Sequence, residues 1–503
     1  MNANFAEVLA FVLYMAAVLV VGIVFFIRSK GKDGDKEYFL GGRDMNGLVA
    51  ALSAGASDMS AWVLMGLPGS IYLYGMGQVW ISVGLLIGTI VAWIFVAPQL
   101  RRYSIAANDS ITIPQFLTNR FRSDRKALQV ISAIIFLVAY CVYAASSIVA
   151  CGSLFNTVFG VDSNAAMIGA TVVILLYTFL GGFNAVCWTD FIQGMLMLIA
   201  LMAVPIIAAF AMGKADFVPA AEVVTAENYY NFLSSGKFDW ASIADILSGL
   251  GWGLGYMGMP HILVRYMSIR SEKEMRRSQI VGSAWTALIL IMASVVALIG
   301  HNFLGTYLDS SSKSMIFIVM VRKLLVEGRG VILVFIAGIL LAAILAASMS
   351  TADSQLLASA SAFASDFYKP VLRKKASDRE MLWAGRIVVA IISVVALLIA
   401  MNPDMADIMG LVENAWGAFG ASFGPVVLLA LYWKRLTYNG AVAGIVAGFA
   451  VDALWLACLS GTGLYEIIPG FIAGLLAAVI VSKLDKAPGQ EVIDLFNEAR
   501  KPV

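Results

Sequence analysis

Asp58 is the residue whose placement most demands an explanation. It lies about eleven residues into an apolar run that begins near residue 47. If that run is a membrane helix rising 1.5 Å per residue, Asp58 sits near the middle of the bilayer. A carboxylate there costs ~2.5–3.5 kcal/mol on insertion scales. A cation or the amine of a bound solute would compensate it; a nearby arginine or a helix N-terminus would do so without any ligand. Ser350 and Thr351 stand side by side in another apolar run, just after Ala347. Two hydroxyls with main-chain carbonyls make an all-oxygen environment of the kind hard cations select. Neutral oxygens suffice for a monovalent ion, although hydroxyls bonded back onto their own helix would leave the same trace in the sequence. Asp190, Asp353 and Ser354 could meet near one membrane face and hold a second cation or a proton. The alternative is an interfacially solvated Asp190 and a lone hydrogen-bonded Asp353. The aromatics Trp62, Tyr143, Trp252 and Tyr256 fall on or beside interrupted apolar runs. Polar-tipped rings suit a pocket that is apolar but must orient a small solute. Pro260 ends one interruption, and His261 after it reads as structural. Arg43, just before the run that holds Asp58, either closes a gate or simply lies on the cytoplasmic side.

The elements that position these groups follow from composition. Of 503 residues, 60% are hydrophobic and 13% charged, with a mean hydropathy of +0.86. A soluble chain carries ~25% charged residues, and a water-soluble protein of this size could not hide so much apolar surface in one core. A soluble enzyme, a nucleic-acid binder and a disordered chain are disfavoured together. Lys plus Arg (34) nearly balances Asp plus Glu (32), so no bulk electrostatic partner is implied. The four cysteines, Cys141, Cys151, Cys187 and Cys458, read as small hydrophobes. The opening MNANFAEVLAFVLYM lacks a basic leader region and reads as a retained span.

About 20 apolar residues cross a bilayer as a helix. Thirteen stretches qualify: 6–27, 47–74, 77–99, 128–155, 164–183, 188–212, 240–264, 279–303, 330–360, 381–401, 406–433, 438–459 and 464–482. With the N-terminus outside, 28 of the 34 basic residues fall on cytoplasmic segments. That count sets the orientation and puts the C-terminus in the cytoplasm. The segment 304–329 is the exception and reads as an amphipathic outer helix.

Two spans have disturbed middles: GLVAALSAGASDMSAWVLMGLPGSIYLYG (47–75) and WASIADILSGLGWGLGYMGMPHILVRYM (240–267). In the second, Gly249, Gly251, Gly253, Gly255 and Gly258 crowd together. Each interior glycine costs about 1 kcal/mol of helix propensity, so a broken helix is expected; a face for close packing is the alternative. Gly440, Gly444 and Gly448 read as packing alone. The two disturbed spans are five apart, and an odd offset reverses direction. Spans four and nine, also five apart, both carry small hydroxyl clusters: Tyr143–Ser147 and Ser348–Thr351. Matched interruptions in inverted halves point to a secondary transporter with a midplane site.

Several strings resemble the sodium:solute symporter family, and its proline-transporting members above all. They are YFLGGRD (38–44), ALSAGASDMSAWVLMGLPG (51–69), LYTFLGGFNAVCWTDFIQ (176–193), GWGLGYMGMPHILVRYM (251–267) and LAAILAASMSTADSQLL (341–357), with LYEIIPGF at 464–471. The resemblance implies an all-α integral membrane protein with a leucine-transporter-type core of five plus five inverted spans. The repeats would occupy 47–212 and 240–433. The first span and inner loop would be 1–46, an outer loop 213–239, and two last spans with a tail 434–503. It further implies sodium on the carbonyls of Ala56, Met59 and Ala347 and the hydroxyls of Ser350 and Thr351. L-proline would lie near Asp58, Ala61, Trp62, Tyr143, Trp252, Tyr256 and Pro260. Asp190, Asp353 and Ser354 resemble a second sodium site of some members. Ala61 and Met259 depart from the glycine and glutamine frequent in proline symporters, narrowing the pocket and removing an amide. The expected activity is sodium-coupled uptake across the cytoplasmic membrane, with no enzyme chemistry, nucleic acid or obligate protein partner. The rivals are the same machinery with another solute, a passive channel, or a sensor, whose appended signalling domain the roughly twenty residues after the last span leave no room for.

Overall fold

The computed structural model describes residues 5–29, 35–180, 182–402 and 407–501. Lys30, Lys32 and the first expected residue of span eleven, 406, lie outside them. The described chain is built from helices: α1 Phe5–Ser29, α2 Gly47–Asp58, α3 Gly66–Tyr74, α4 Met76–Ala106, α5 Ala127–Phe159, α6 Ser163–Leu180, α7 Phe183–Met212, α8 Trp240–Gly251, α9 Pro260–Ser268, α10 Glu272–Leu304, α11 Val331–Leu372, α12 Asp378–Ala400, α13 Ile408–Tyr432, α14 Tyr438–Cys458 and α15 Ile467–Leu484. Among the described residues, ten helices are long and apolar enough to cross a membrane, eleven with the bent pair α2–α3. The expected fifth and seventh spans correspond to the shorter α6 and to the α8–α9 pair, so the count of thirteen is not reached on length and apolarity alone.

Burial is arranged for a bilayer rather than for water. Large apolar side chains such as Val12, Leu176, Phe210, Leu398 and Leu454 face outward. Asp58, Asp190, Asp353, Arg265, Ser350 and Thr351 are enclosed. Helices satisfy their own backbone groups, so only side chains and broken turns need partners inside.

Both disturbed spans are broken. α2 and α3 meet at 73°. Between them Met59 and Ser60 leave helical geometry, and Ala61–Val63 form a single tight turn. α8 and α9 are separated by the 3₁₀ stretch Trp252–Met257, with Pro260 opening α9, where its missing N–H costs nothing. Packing and interruption, posed as alternatives for the glycines, are both realised. A Cβ on Gly88 of α4 would stand 2.3 Å from the Gly253 carbonyl, and one on Gly253 2.4 Å from the Gly84 carbonyl. Gly255 instead admits an indole, since its Cβ would fall 1.9 Å from Trp416 Nε1. As expected, Gly440, Gly444 and Gly448 of α14 are packing contacts against α13 and α15.

The two broken spans are joined at one end. Met45 N–H donates to the Ser268 carbonyl (3.1 Å) and Arg270 N–H to the Met45 carbonyl (3.1 Å). This basic end is called the lower face. Arg43 reinforces it, reaching Asp109 (2.7 Å), the Met267 carbonyl (2.7 Å) and the Ser110 carbonyl (2.6 Å).

Three expectations need correction. The sixth span begins at Phe183, not near 188, so Asp190 lies two turns inside α7 and fully buried. The second broken span continues to Ser268, so Arg265 is inside the bundle rather than in a loop. Ile316–Leu325, expected as an amphipathic outer helix, is buried on most sides, and its Arg322 pairs with Glu7 of α1 at 3.0 Å.

Candidate functional site

The break after Asp58 makes this residue useful twice. Its main-chain carbonyl, released from the helix ladder, accepts from Trp62 Nε1 (3.2 Å), Tyr143 Oη (3.3 Å) and Ser60 N–H (2.9 Å). Its carboxylate Oδ2 accepts from the Tyr256 hydroxyl, while Oδ1 has no hydrogen-bond partner among the described residues. Among the described residues no basic side chain pairs with it; the hydrogen bond it does make is to Tyr256.

The aromatic residues converge on this break from three elements. Trp62 and Trp252 stand 6.0 Å apart between ring centroids. Tyr256 meets Trp416 of α13 edge-on at 5.2 Å. Trp416 Nε1 donates to the Trp252 carbonyl at 2.8 Å, so it satisfies a backbone group exposed by the second break. Ala61 and Pro260 line the two interruptions and are buried. His261 is structural, held against the Tyr140 hydroxyl at 3.3 Å. Trp416 and Tyr465, whose ring lies tilted against Trp252, were missed; only the aromatic-bearing AWGAFG and LYEIIPGF strings hinted at them.

Two residues before Asp58, on the same last turn of α2, a cluster of oxygens joins α2 to α11. The Ser350 hydroxyl donates to the Ala56 carbonyl (2.9 Å) and lies 3.1 Å from the Ala347 carbonyl; Thr351 Oγ1 lies 3.5 Å from the Ala56 carbonyl. Ser348, by contrast, bonds back to Ile344 at 2.9 Å within its own helix. Ser350 also touches a carbonyl one turn back in its own helix, but its hydroxyl, unlike that of Ser348, reaches across to another span. Met59 is buried at the start of the break, and its own carbonyl accepts no hydrogen bond among the described residues. The donor set is all oxygen and uncharged, which fits a monovalent hard cation.

Asp190, Asp353 and Ser354 also come together. Asp190 Oδ2 accepts from Ser53 (2.7 Å), and Ser354 Oγ lies 3.5 Å from it and 3.4 Å from Asp353 Oδ1. The sequence reading missed the centre of this cluster. Arg265 reaches Asp190 at 2.9 Å, Ser53 at 2.7 Å, the His261 carbonyl at 2.6 Å and the Ser354 hydroxyl. The expected span bounds of 240–264 leave it just outside the membrane, though its place one turn after Pro260 in an apolar string is the available signal. Two carboxylates face one guanidinium, and Asp190 Oδ1 and Asp353 Oδ2 lack hydrogen-bond partners among the described residues.

On the face opposite Arg43, here the upper face, a cavity of about 420 Å³ descends to Trp252. Its walls carry Asp245, Asp407, Glu413, Glu466 and Lys313.

Broken helices, an oxygen cluster bridging two spans, and an aromatic layer above it are now a defined geometry. A model of the sodium:solute symporter family matches residues 38–448. The chain belongs to the sodium:solute symporter family. This symporter is 43% identical over 485 residues to the high-affinity proline transporter PutP of Bacillus subtilis (strain 168), covering 96% of this chain and 98% of that one. It is 40% identical over 511 residues to a sodium/proline symporter of Staphylococcus aureus (strain JH9), covering 99% and 96%. Among solved structures, a Na+-coupled sialic acid symporter in a substrate-bound outward-open state superposes with a TM-score of 0.78 at 20% identity, covering 97% and 99%. The fold is thus the leucine-transporter type, and the symporter is a multi-pass membrane protein.

Proposed function

We propose that this symporter carries L-proline into the cell, coupled to sodium, by alternating access across the cytoplasmic membrane. The observation that carries the reading is the Ser350 hydroxyl on the Ala56 carbonyl. It supports an oxygen-only ion seat two residues from Asp58, on the same terminal turn of α2. The names of the relatives, proline transporters along the full chain, supply the solute.

In this reading sodium sits among the carbonyls of Ala56, Met59 and Ala347 and the hydroxyls of Ser350 and Thr351. Freed amides at the two breaks take the carboxylate of proline. Asp58, or the carbonyls beside it, takes the secondary ammonium. Trp62, Tyr143, Trp252 and Tyr256 enclose the ring, with Ala61 and Pro260 setting the pocket's depth. The spans of 47–212 and 240–433 act as inverted repeats, rocking around this seat. The upper face is extracellular and both the lower face and the C-terminus cytoplasmic. Asp190, Asp353 and Ser354 hold one negative charge more than Arg265 neutralises, so a second cation or a proton is assigned there. One charge crossing 100 mV releases ~2.3 kcal/mol, which supports roughly 50-fold accumulation before the sodium gradient is added.

A second reading keeps the machinery and changes the solute. Ala61 and Met259 favour it, because both are buried beside the breaks and differ from the residues frequent in proline symporters. Binding of labelled L-proline to purified protein, with sodium and with potassium alone, tests the first reading. Equal binding in both salts refutes the coupling. Displacement by another solute at lower concentration than proline refutes the solute.

A further inference from the structure

The string LYEIIPGF (464–471) belongs to none of the expected repeat spans, yet its tyrosine reaches the solute site. Tyr465 precedes α15 and is 3% exposed. Its ring lies 5.3 Å from that of Trp252, tilted by 38°. Its hydroxyl donates to the Glu413 carbonyl of α13 at 2.8 Å, and its backbone N–H donates to Ser248 Oγ of α8 at 3.0 Å. Both Tyr465 and Trp252 line the upper cavity. The order downward is therefore cavity, Tyr465 and Trp252, then Trp62, then the opened turn at Asp58.

We propose that Tyr465 is a positioning residue for this site: it props Trp252 over the solute seat and forms with it the leaf that separates seat from cavity. This rests on the solute reading given above. The physical basis is the pair of anchors. Trp252 is held from one side by Trp416 Nε1 on its carbonyl (2.8 Å). On the other side the Tyr465 ring covers its face. The hydroxyl of Tyr465 ties that ring to the same helix, α13, that carries Trp416. Movement of α13 relative to α8 thus shifts both supports of Trp252 together. A solute leaving upward must break one hydrogen bond and slide one ring contact, a small barrier suited to a gate rather than to a fixed wall. Phenylalanine would keep the ring and lose the tether; leucine would lose both.

The test uses the full chain in lipid nanodiscs with labelled L-proline in sodium buffer. Tyr465→Leu is expected to speed dissociation about tenfold or more, and Tyr465→Phe by a few-fold, in line with losing an aromatic pair plus a hydrogen bond or the hydrogen bond alone. The sodium concentration that half-saturates binding at saturating proline should stay within about twofold of the parent protein, because the Ala56–Ser350 seat is untouched. Unchanged dissociation in Tyr465→Leu overturns the proposal. So does a parallel loss of sodium affinity in both variants, which a merely structural role would give. A readout without solute separates this proposal from the proline assignment. Ala61→Cys, in a background with Cys141, Cys151, Cys187 and Cys458 changed to serine, reports access to the seat by an impermeant thiol reagent. Tyr465→Leu in that background should raise the labelling rate about tenfold, matching the loss of the ring contact and its tether. An equal rate overturns the gate even if proline proves to be the wrong solute, and a faster rate supports it in that case.

Discussion

Three hydroxyls within four residues of α11 should respond very differently to the same small change. Ser350→Ala removes an oxygen that stands between the Ala56 and Ala347 carbonyls at 2.9 and 3.1 Å. A hydrogen bond or ligand contact to a charged group is worth about 1.5–3 kcal/mol. Losing this one should therefore raise the half-saturating sodium concentration roughly ten- to a hundredfold. Thr351 lies farther from Ala56, at 3.5 Å. Thr351→Ser keeps the hydroxyl and should cost little, whereas Thr351→Ala should fall below Ser350→Ala in effect. Ser348→Ala removes a hydroxyl bonded to Ile344 in its own helix and to the Cys151 thiol, with no reach to α2, and should change sodium dependence by about twofold or less, since such back-bonding adds little stability. The assay is sodium-dependent binding of labelled proline, with thermal unfolding of each variant to show that all remain folded. If Ser348→Ala weakened sodium dependence as much as Ser350→Ala, the ion seat would not lie at the α2–α11 crossing, and the reasoning from the cross-span bond would fail.

Arg265→Gln should destabilise the fold by about 3–5 kcal/mol, because it leaves Asp190 buried without its partner at 2.9 Å. Adding Asp190→Asn should recover part of that loss, read as the unfolding temperature in detergent; strictly additive losses would deny the coupling. At the lower face, burial raises the Asp109 carboxyl, but the hydrogen bonds from Lys36 and Arg43 outweigh it and hold it below its ordinary value. A depressed carboxyl stabilises the fold above its unfolded-state value and loses that contribution as pH falls through the folded one. Asp109→Asn should therefore lower thermal stability at pH 6, by at most about 1 kcal/mol for so exposed a carboxylate. The difference should close as pH falls below the ordinary carboxylate range, where the parent carboxyl at last takes up its proton; a gap that persists in that acid range would refute the assignment.

The sequence disclosed most readily what the bilayer penalises. A carboxylate at Asp58 and five glycines within ten residues are costly in a membrane helix, so their positions signalled the breaks before any contact was known. The partners across helices were less legible. Nothing local in YFLGGRD or VRYM states that Arg265 lies between Ser53, Asp190 and Ser354. Its charge fitted the orientation rule, and that rule cannot distinguish a loop arginine from one buried a turn inside. The boundary at Phe183 was missed for a related reason. GGF reads as a turn, but CWTD after it carries enough polarity to look interfacial, while tertiary burial keeps the helix running through Asp190. Tyr465 was hidden because its contacts are Glu413 of α13 and Ser248 of α8, 52 and 217 residues away along the chain.

In the proposed cycle, coupling follows from a single turn of backbone. Ala56 offers its carbonyl to the ion seat, and Asp58, two residues on, offers a carbonyl and a carboxylate to the solute seat. A ligand shifts a conformational equilibrium only by its differential affinity for the two states. A cation on Ala56, Ala347 and Ser350 binds only while α2 and α11 stay together, so it favours whichever state keeps that crossing closed. The same crossing fixes where α2 ends, and with it the direction of the released Asp58 carbonyl toward Trp62 and Tyr143. Solute bound at Asp58 must then strengthen sodium by the factor that sodium strengthens solute, since coupling of binding is reciprocal. A turn that continued as regular helix could not do this, because Asp58 would spend its carbonyl on the ladder and leave Trp62 and Tyr143 without their acceptor. The instability of the broken turn is thus the source of the coupling rather than a defect tolerated beside it.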